Sequence, residues 1–218
     1  MKIVVFLLLL ITFSAKVSAE SQVSYVLGGM SMEVPTKELA DVSPWIWLKS
    51  FAGLDVNVDG FIFELDPKNV EGYEFKHSQS KIVGSVSDFS NENLTKFSDG
   101  YAYESLWYAQ LDFKDREIIK HEESGLYLVY ASKGYRGMFY VFSIFPDKDK
   151  KMPNNKWDFL VAICSGSSVS KHKNVSCSRQ FLVQDKLLVS YSFSLGNLPL
   201  QEKLDSYVRH KVISWIVK

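Results

Sequence analysis

The run Met138 to Phe145, MFYVFSIF, is apolar at both alternate sets of positions, with Ser143 its one polar residue. A strand at the surface of a sheet shows a clean alternation, so a strand apolar on both sides has to lie inside a sheet that is covered above and below. That requirement sets the frame for its neighbours. Tyr101 to Phe113, Arg116 to Glu122 and Leu126 to Ala131 precede it as β-rich runs, punctuated by Lys114-Asp115, Ser124-Gly125 and the stretch Lys133 to Gly137. Trp157 to Cys164, Cys177 to Val183 and Leu187 to Phe193 follow in the same style. The succession predicts an antiparallel meander.

The chain then changes period. From about Leu198 to Val217, the residues Leu200, Leu204, Tyr207, Val208, Val212, Trp215 and Ile216 recur on one face at helical spacing. Pro199 near the start lacks only an N–H that a first turn does not use, and Gln201 and Glu202 suit the positive end of the dipole. An amphipathic C-terminal helix of this kind docks on the sheet. The fold class predicted is therefore α+β, an antiparallel sheet meander with helices largely on one face and a closing C-terminal amphipathic helix.

The N-terminal portion is less regular. Val23 to Leu27 and Met30 to Val34 read as a strand pair around Gly28-Gly29, and Thr36 to Leu39 as a turn or short helix. Trp45 to Phe51 is helical for about two turns between Pro44 and Gly53, Phe61 to Leu65 alternates as a strand, Pro67 to Tyr73 suggests a helical turn, and Ile82 to Val86 carries weak strand character. Residues 20–218 are read as one α+β domain; a division into two related halves, about 20–100 and 101–218, stays open, because both contain strands with a helical segment.

Lys2 followed by the apolar run Ile3 to Phe13 and the short SAKVSA segment has the layout of a secretory leader over residues 1–19, with cleavage after Ala19. The apolar run is far short of the roughly twenty residues needed to cross a bilayer as a helix, and no later segment approaches that length. Periplasmic or secreted localisation follows. Removing Lys2 and Lys16 turns 25 basic and 25 acidic residues into 23 and 25, a net charge of −2. A near-neutral surface argues against nucleic acid as the partner. Cys164 and Cys177 are the only two cysteines, and an oxidising compartment lets them bridge as a structural staple across the loop between two strands. Twelve intervening residues exclude a thioredoxin-like pair.

No catalytic signature is complete. Cys164-Ser165-Gly166-Ser167 lacks the framing glycines of a nucleophile elbow. His77, His121, His172 and His210 form no paired metal motif, and Glu122-Glu123, being adjacent, would point to opposite faces of a strand. One metal pattern is partly present. Asp55-Val56-Asn57-Val58-Asp59-Gly60 opens like a calcium loop, with Asp66 at position twelve, so Asp55, Asn57, Asp59 and Asp66 are the candidate oxygen ligands; a plain polar loop into the strand FIFELD is the competing reading, and no other cofactor is expected. Asn93-Leu94-Thr95 and Asn174-Val175-Ser176 match the glycan acceptor pattern.

Two stretches carry a resemblance. VSYVLGGMSMEVPTKEL near the start, and FLVAICSGSSVSKHKNVSCSRQFLVQDKLLVSYSF before the closing helix, together with the leader, resemble periplasmic immunity proteins of type VI secretion effectors, with Ser176 where that pattern often has a proline. The resemblance implies a non-enzymatic inhibitor that binds and occludes a toxic effector enzyme through a protein–protein interface. The candidate partner-binding residues are Tyr135 and Arg136 in the Ser132 to Arg136 turn, Lys150 and Lys151 in DKDKKMPNNK, and Lys171, His172 and Lys173 in the loop between the cysteines. A binding domain for a small ligand or cell-wall component, and a secreted hydrolase with an unrecognised site, are the alternatives.

Overall fold

The computed structural model describes residues 21–52, 54, 56–74, 80–89, 101–133, 137–166 and 175–217. The predicted leader lies outside the described residues. Eleven strands form two sheets among them. In chain order these are β1 (Gln22–Leu27), β2 (Met30–Pro35), β3 (Val56–Asn57), β4 (Gly60–Leu65), β5 (Ile82–Asp88), β6 (Glu117–Lys120), β7 (Tyr127–Tyr130), β8 (Met138–Phe142), β9 (Leu160–Gly166), β10 (Val175–Val183) and β11 (Leu187–Ser194). The helices are α1 (Pro44–Phe51), α2 (Tyr101–Tyr108) and α3 (Gln201–Trp215).

The expected α+β architecture is observed. β6 to β11 form one continuous antiparallel meander, and the β4–β5 hairpin adds to β11, giving the order β4-β5-β11-β10-β9-β8-β7-β6. A small sheet, β2-β1-β3, is seated at the other end of the closing helix. Its β1–β2 turn pairs Leu27 directly with Met30 across a two-residue loop, and Gly28 and Gly29 supply the two positive φ angles, 58° and 73°, of the type I′ geometry that suits such a loop. Gly84 of β5 is required for a different reason: a Cβ there would lie 2.3 Å from the Phe63 ring and 2.4 Å from the Ser190 carbonyl oxygen.

The inner face of the large sheet carries Phe63 and Leu65, Ile82 and Val86, Val189 and Phe193, Phe181 and Val183, and Val141, all buried in one cluster. Helix α3 seals it with Leu204, Val208, Val212 and Trp215. Fully burying a side chain of this kind stabilises the fold by roughly 1.5–3 kcal/mol. The end of α3 joins the two sheets. Trp215 packs edge-on to Phe63, with centroids 5.6 Å apart, Ile216 bridges to Met32, and the Val217 N–H donates to the Ser31 carbonyl oxygen at 2.9 Å.

β8 lies between β7 and β9, and its residues alternate between two cores as its sequence demands. Phe139 and Val141 face the α3 side, while Tyr140 and Phe142 belong to a second cluster with Leu106, Trp107, Val129, Phe159 and Leu160. One expectation fails here. Tyr101 to Phe113 is not a strand: it is helix α2 followed by a 3-10 turn at Leu111–Phe113. Its aromatic content argued for β structure, yet Tyr103, Leu106 and Trp107 stand at i, i+3 and i+4, and that stripe covers the second face of the meander. The helix stops at Ala109, which is left-handed with φ 52°, and the Gln110 N–H returns to the Ser105 carbonyl oxygen at 2.9 Å.

Candidate functional site

The two cysteines are bonded, Cys164 to Cys177, as direct partners in the β9–β10 ladder. They clip the start of the intervening loop, of which Lys171, His172 and Lys173 lie outside the described residues. So do Tyr135, Arg136, Asp55, His77, Asn93 and Asn174. The flanks of the two loops are described, and they meet: the Gly166 N–H donates to the Gly137 carbonyl oxygen at 3.0 Å. The turn after β7 and the cysteine-held loop therefore leave the sheet at one end.

Lys150 and Lys151 belong elsewhere. Their connection runs from the end of β8 at Phe142 to the start of β9 at Leu160, at the opposite end of the sheet. Both residues are exposed. The three proposed loops are thus split between two ends of the meander.

Of the calcium pattern, Asp55 lies outside the described residues, and Asn57, Asp59 and Asp66 are spread along the strands. Asn57 ends β3, Gly60 opens β4, and Asp66 follows the strand. The six extended residues of β4, at about 3.3 Å each, place Asp66 roughly 20 Å from Gly60, whereas a calcium loop curls back on one ion. The Asp66 carboxylate instead accepts the Lys68 N–H at 3.0 Å, capping the turn Pro67–Asn69, and that bond holds its pKa below the usual carboxylate range. Among the described residues no group of three or more acidic, histidine or cysteine side chains is placed to hold a metal.

Two polar clusters that sequence reading missed lie beneath α3. Arg179 occupies an inward position of β10, between Cys177 and Phe181. Its Nε and Nη2 donate to Asp205 of α3 at 3.0 and 2.9 Å, and its Nη1 donates to the Leu160 and Val161 carbonyl oxygens at 2.9 and 3.0 Å. Asp205 also accepts the Tyr191 hydroxyl at 2.8 Å and the Gln201 amide at 2.6 Å. Burial first, then the Asp205 charge and hydrogen bond, push the Tyr191 pKa far above the ordinary tyrosine range. β9 and β10 pair only as far as Ile163 and Ser178, so the guanidinium satisfies carbonyls at the place where the two strands diverge. Nearer the small sheet, Glu38 accepts from the Lys211 ammonium at 2.5 Å and from the Trp215 indole at 2.9 Å. These carboxylates are fully occupied as braces between α3 and the sheets.

The α2 side presents an open site. A cleft of about 280 Å³ is bounded by Phe89, Tyr103, Phe159 and the stretch Met152 to Trp157. The connection that forms it is fastened to the helix. The Trp107 indole donates to the Lys150 carbonyl oxygen at 2.9 Å, and the Tyr108 hydroxyl accepts the Met152 N–H at 3.0 Å. Asn155 then caps the turn Lys156–Asp158 by accepting the Trp157 N–H at 3.0 Å. The Lys156 ammonium lies 4.4 Å from the centroid of Trp157 and 5.9 Å from that of Tyr103. Burial lowers the Lys156 pKa and raises that of Tyr103, the latter helped by neighbouring Tyr140. Sequence reading nominated this loop, Asp147 to Lys156, with Lys150 and Lys151 as its named residues, and missed Tyr103 and Trp157. The available signal was the aromatic residue directly after the last lysine of DKDKKMPNNK.

A shallower groove of about 570 Å³ runs along the outer side of α3, lined by Glu71, Glu202, Lys203, Tyr207 and His210 among others. It carries both signs of charge, with Lys203 and Glu71 3.7 Å apart.

Comparison with known proteins gives one structural likeness. The fold is similar to that of an immunity protein of the Stenotrophomonas maltophilia type IV secretion system, with a TM-score of 0.55 at 10% sequence identity, covering 91% of this chain and 94% of that one. No protein-family model matches the sequence, and no curated protein matches it.

Proposed function

We propose that this chain is a non-enzymatic binding protein of the effector-immunity class, which occludes a toxic effector enzyme acting outside the cytosol. The observation that carries the proposal is the fold likeness to a secretion-system immunity protein, which extends over nearly the whole of both chains. That relative belongs to a type IV system, so the sequence resemblance to type VI immunity proteins is carried forward as immunity to a secreted effector and not as a type VI assignment. The Cys164–Cys177 bond supports folding in an oxidising compartment, and export by the leader over residues 1–19 belongs to the same proposal. Mature protein recovered from the periplasm should begin at Glu20.

The test is co-expression with the product of the adjacent gene, directed to the periplasm. Restored growth and a co-purifying complex with a dissociation constant in the nanomolar range, typical of tight inhibitor complexes, are expected. Unchanged toxicity with no complex would overturn the reading.

A further inference from the structure

The cleft beside α2 has a charge pattern that selects its occupant. Its side chains supply one ammonium, Lys156, and two amides, Asn154 and Asn155, against aromatic walls, and among the described residues that line it none is acidic. Elsewhere in the molecule, partly buried cations reach oxygen: Arg179 bonds to Asp205, Lys211 to Glu38, and Arg209 to the Leu182 carbonyl at 2.8 Å. Lys156 has ring faces as partners instead, and no carboxylate pairs with it among the described residues. A half-desolvated ammonium held on an indole face keeps most of its attraction for an anion, because the ring shields it from water without neutralising it.

The cleft is also built in advance. The Trp107 and Tyr108 bonds to the 150–152 backbone and the Asn155 cap fix the wall that carries Lys156 and Trp157, so little ordering entropy remains to be lost on binding. The connection as a whole sets Lys148, Lys150, Lys151 and Lys156 against Asp147, Asp149 and Asp158, with Lys150 3.4 Å from Asp147, an excess of one positive charge that favours an anionic partner.

We infer that this cleft receives a glutamate or aspartate side chain carried on an exposed segment of the partner protein. Lys156 is its counter-ion, the Asn154 and Asn155 amides are hydrogen-bond donors to its oxygens, and Trp157 and Tyr103 are the walls that exclude water. A cationic or purely apolar anchor would leave the ammonium desolvated and unpaired. This deepens the immunity reading and rests on it for the nature of the partner.

Two arms test it. In the first, the isolated protein is titrated with the capped peptide acetyl-Gly-Glu-Glu-Gly-amide and with its Gln-Gln counterpart, following the Trp157 indole N–H by NMR, assigned with Trp157→Phe. The Glu peptide should shift that signal saturably and bind at least about fivefold more tightly than the Gln peptide. Lys156→Met, which keeps length and apolar volume, should erase the difference while leaving the melting temperature unchanged within about 2 °C. Equal response to both peptides, or a preference that survives Lys156→Met, overturns the inference. So does self-association of the wild type that Lys156→Met abolishes, because the occupant is then a second copy of the chain.

In the second arm, Lys156→Met should weaken the effector complex by about tenfold or more. Undiminished affinity overturns the cleft as the anchor site and leaves the immunity reading standing. Failure of the wild type to bind any effector, with the peptide preference intact, removes the immunity reading and leaves the carboxylate site standing.

Discussion

The two faces of the meander are closed by different chemistry. On the α3 face a fifteen-residue helix buries four side chains and is cross-braced by two carboxylates, Asp205 and Glu38, that answer cations and ring donors inside the fold. On the α2 face an eight-residue helix covers an aromatic cluster, in which Trp107 meets Phe159 at 5.4 Å and Phe142 meets Phe159 at 5.2 Å between centroids. The first face turns its polar groups inward and satisfies them. The second leaves an ammonium and two amides at the rim of a cleft. If the cleft is the anchor site proposed above, stability and recognition fall on opposite sides of one sheet.

The sharpest way to break this division is to cut each core separately. Trp215→Ala and Trp107→Ala should each destabilise by about 3–5 kcal/mol in urea unfolding. If the faces are separate, the double variant adds within about 0.5 kcal/mol. A coupling above roughly 1 kcal/mol would show that the two clusters act as one.

Next in size is the brace. Asp205→Ala strands the Arg179 guanidinium, whose side chain is only 13% exposed, and should cost about 3 kcal/mol. The pair replacement Arg179→Met with Asp205→Leu should cost clearly less, because it removes both charges together. An equal loss from the double replacement would mean that the Leu160 and Val161 carbonyls depend on the guanidinium more than Asp205 does.

Alkali tests both faces more gently. Burial raises the pKa of Tyr191, and of Tyr25, Tyr73, Tyr103 and Tyr140. A raised folded-state pKa gives stability that is whole below the unfolded tyrosine value of about 10 and is lost as pH rises beyond it, since the unfolded chain then releases protons that the folded one keeps. The urea midpoint should fall between pH 9 and 11. Tyr191→Phe should cost about 1 kcal/mol at neutral pH by removing one hydrogen bond, and its midpoint should fall less steeply above pH 10.

The smallest effect concerns the end of α2. Ala109 holds a left-handed conformation that glycine adopts without a Cβ penalty, so Ala109→Gly should stabilise by about 0.5 kcal/mol. A loss of stability would mean that the Ala109 methyl packs against the α2 face.

How far the sequence foretold these faces follows from range. The α3 stripe was legible because Leu204, Val208, Val212 and Trp215 repeat along one local helix, and all four are buried. The meander was legible because turn residues and alternation are local too. α2 was misread because YAYESLWY is rich in residues that favour strands, and its helical spacing spans only two turns. Arg179 on an inward position could have been flagged from the alternation Cys177, Arg179, Phe181, but its partner Asp205 lies 26 residues away on another element. The cleft was least visible. Its walls are fixed by bonds that join Trp107 and Tyr108 to backbone 43 and 44 residues downstream, and no local pattern encodes such a contact.

β8 feeds both cores from one five-residue strand. A slip of one residue in its pairing would send Phe139 and Val141 to the aromatic side and Tyr140 and Phe142 to the α3 side, so both cores would be wrongly filled at once. A strand with a single buried face is held in register by polarity, because the same slip would bury its polar set and expose its apolar one. Apolar on both sides, β8 carries no such polarity signal and is held by shape instead. Phe139 and Val141 fit the α3 core and Tyr140 and Phe142 the aromatic one, so close packing sets the alignment from which every later strand is counted.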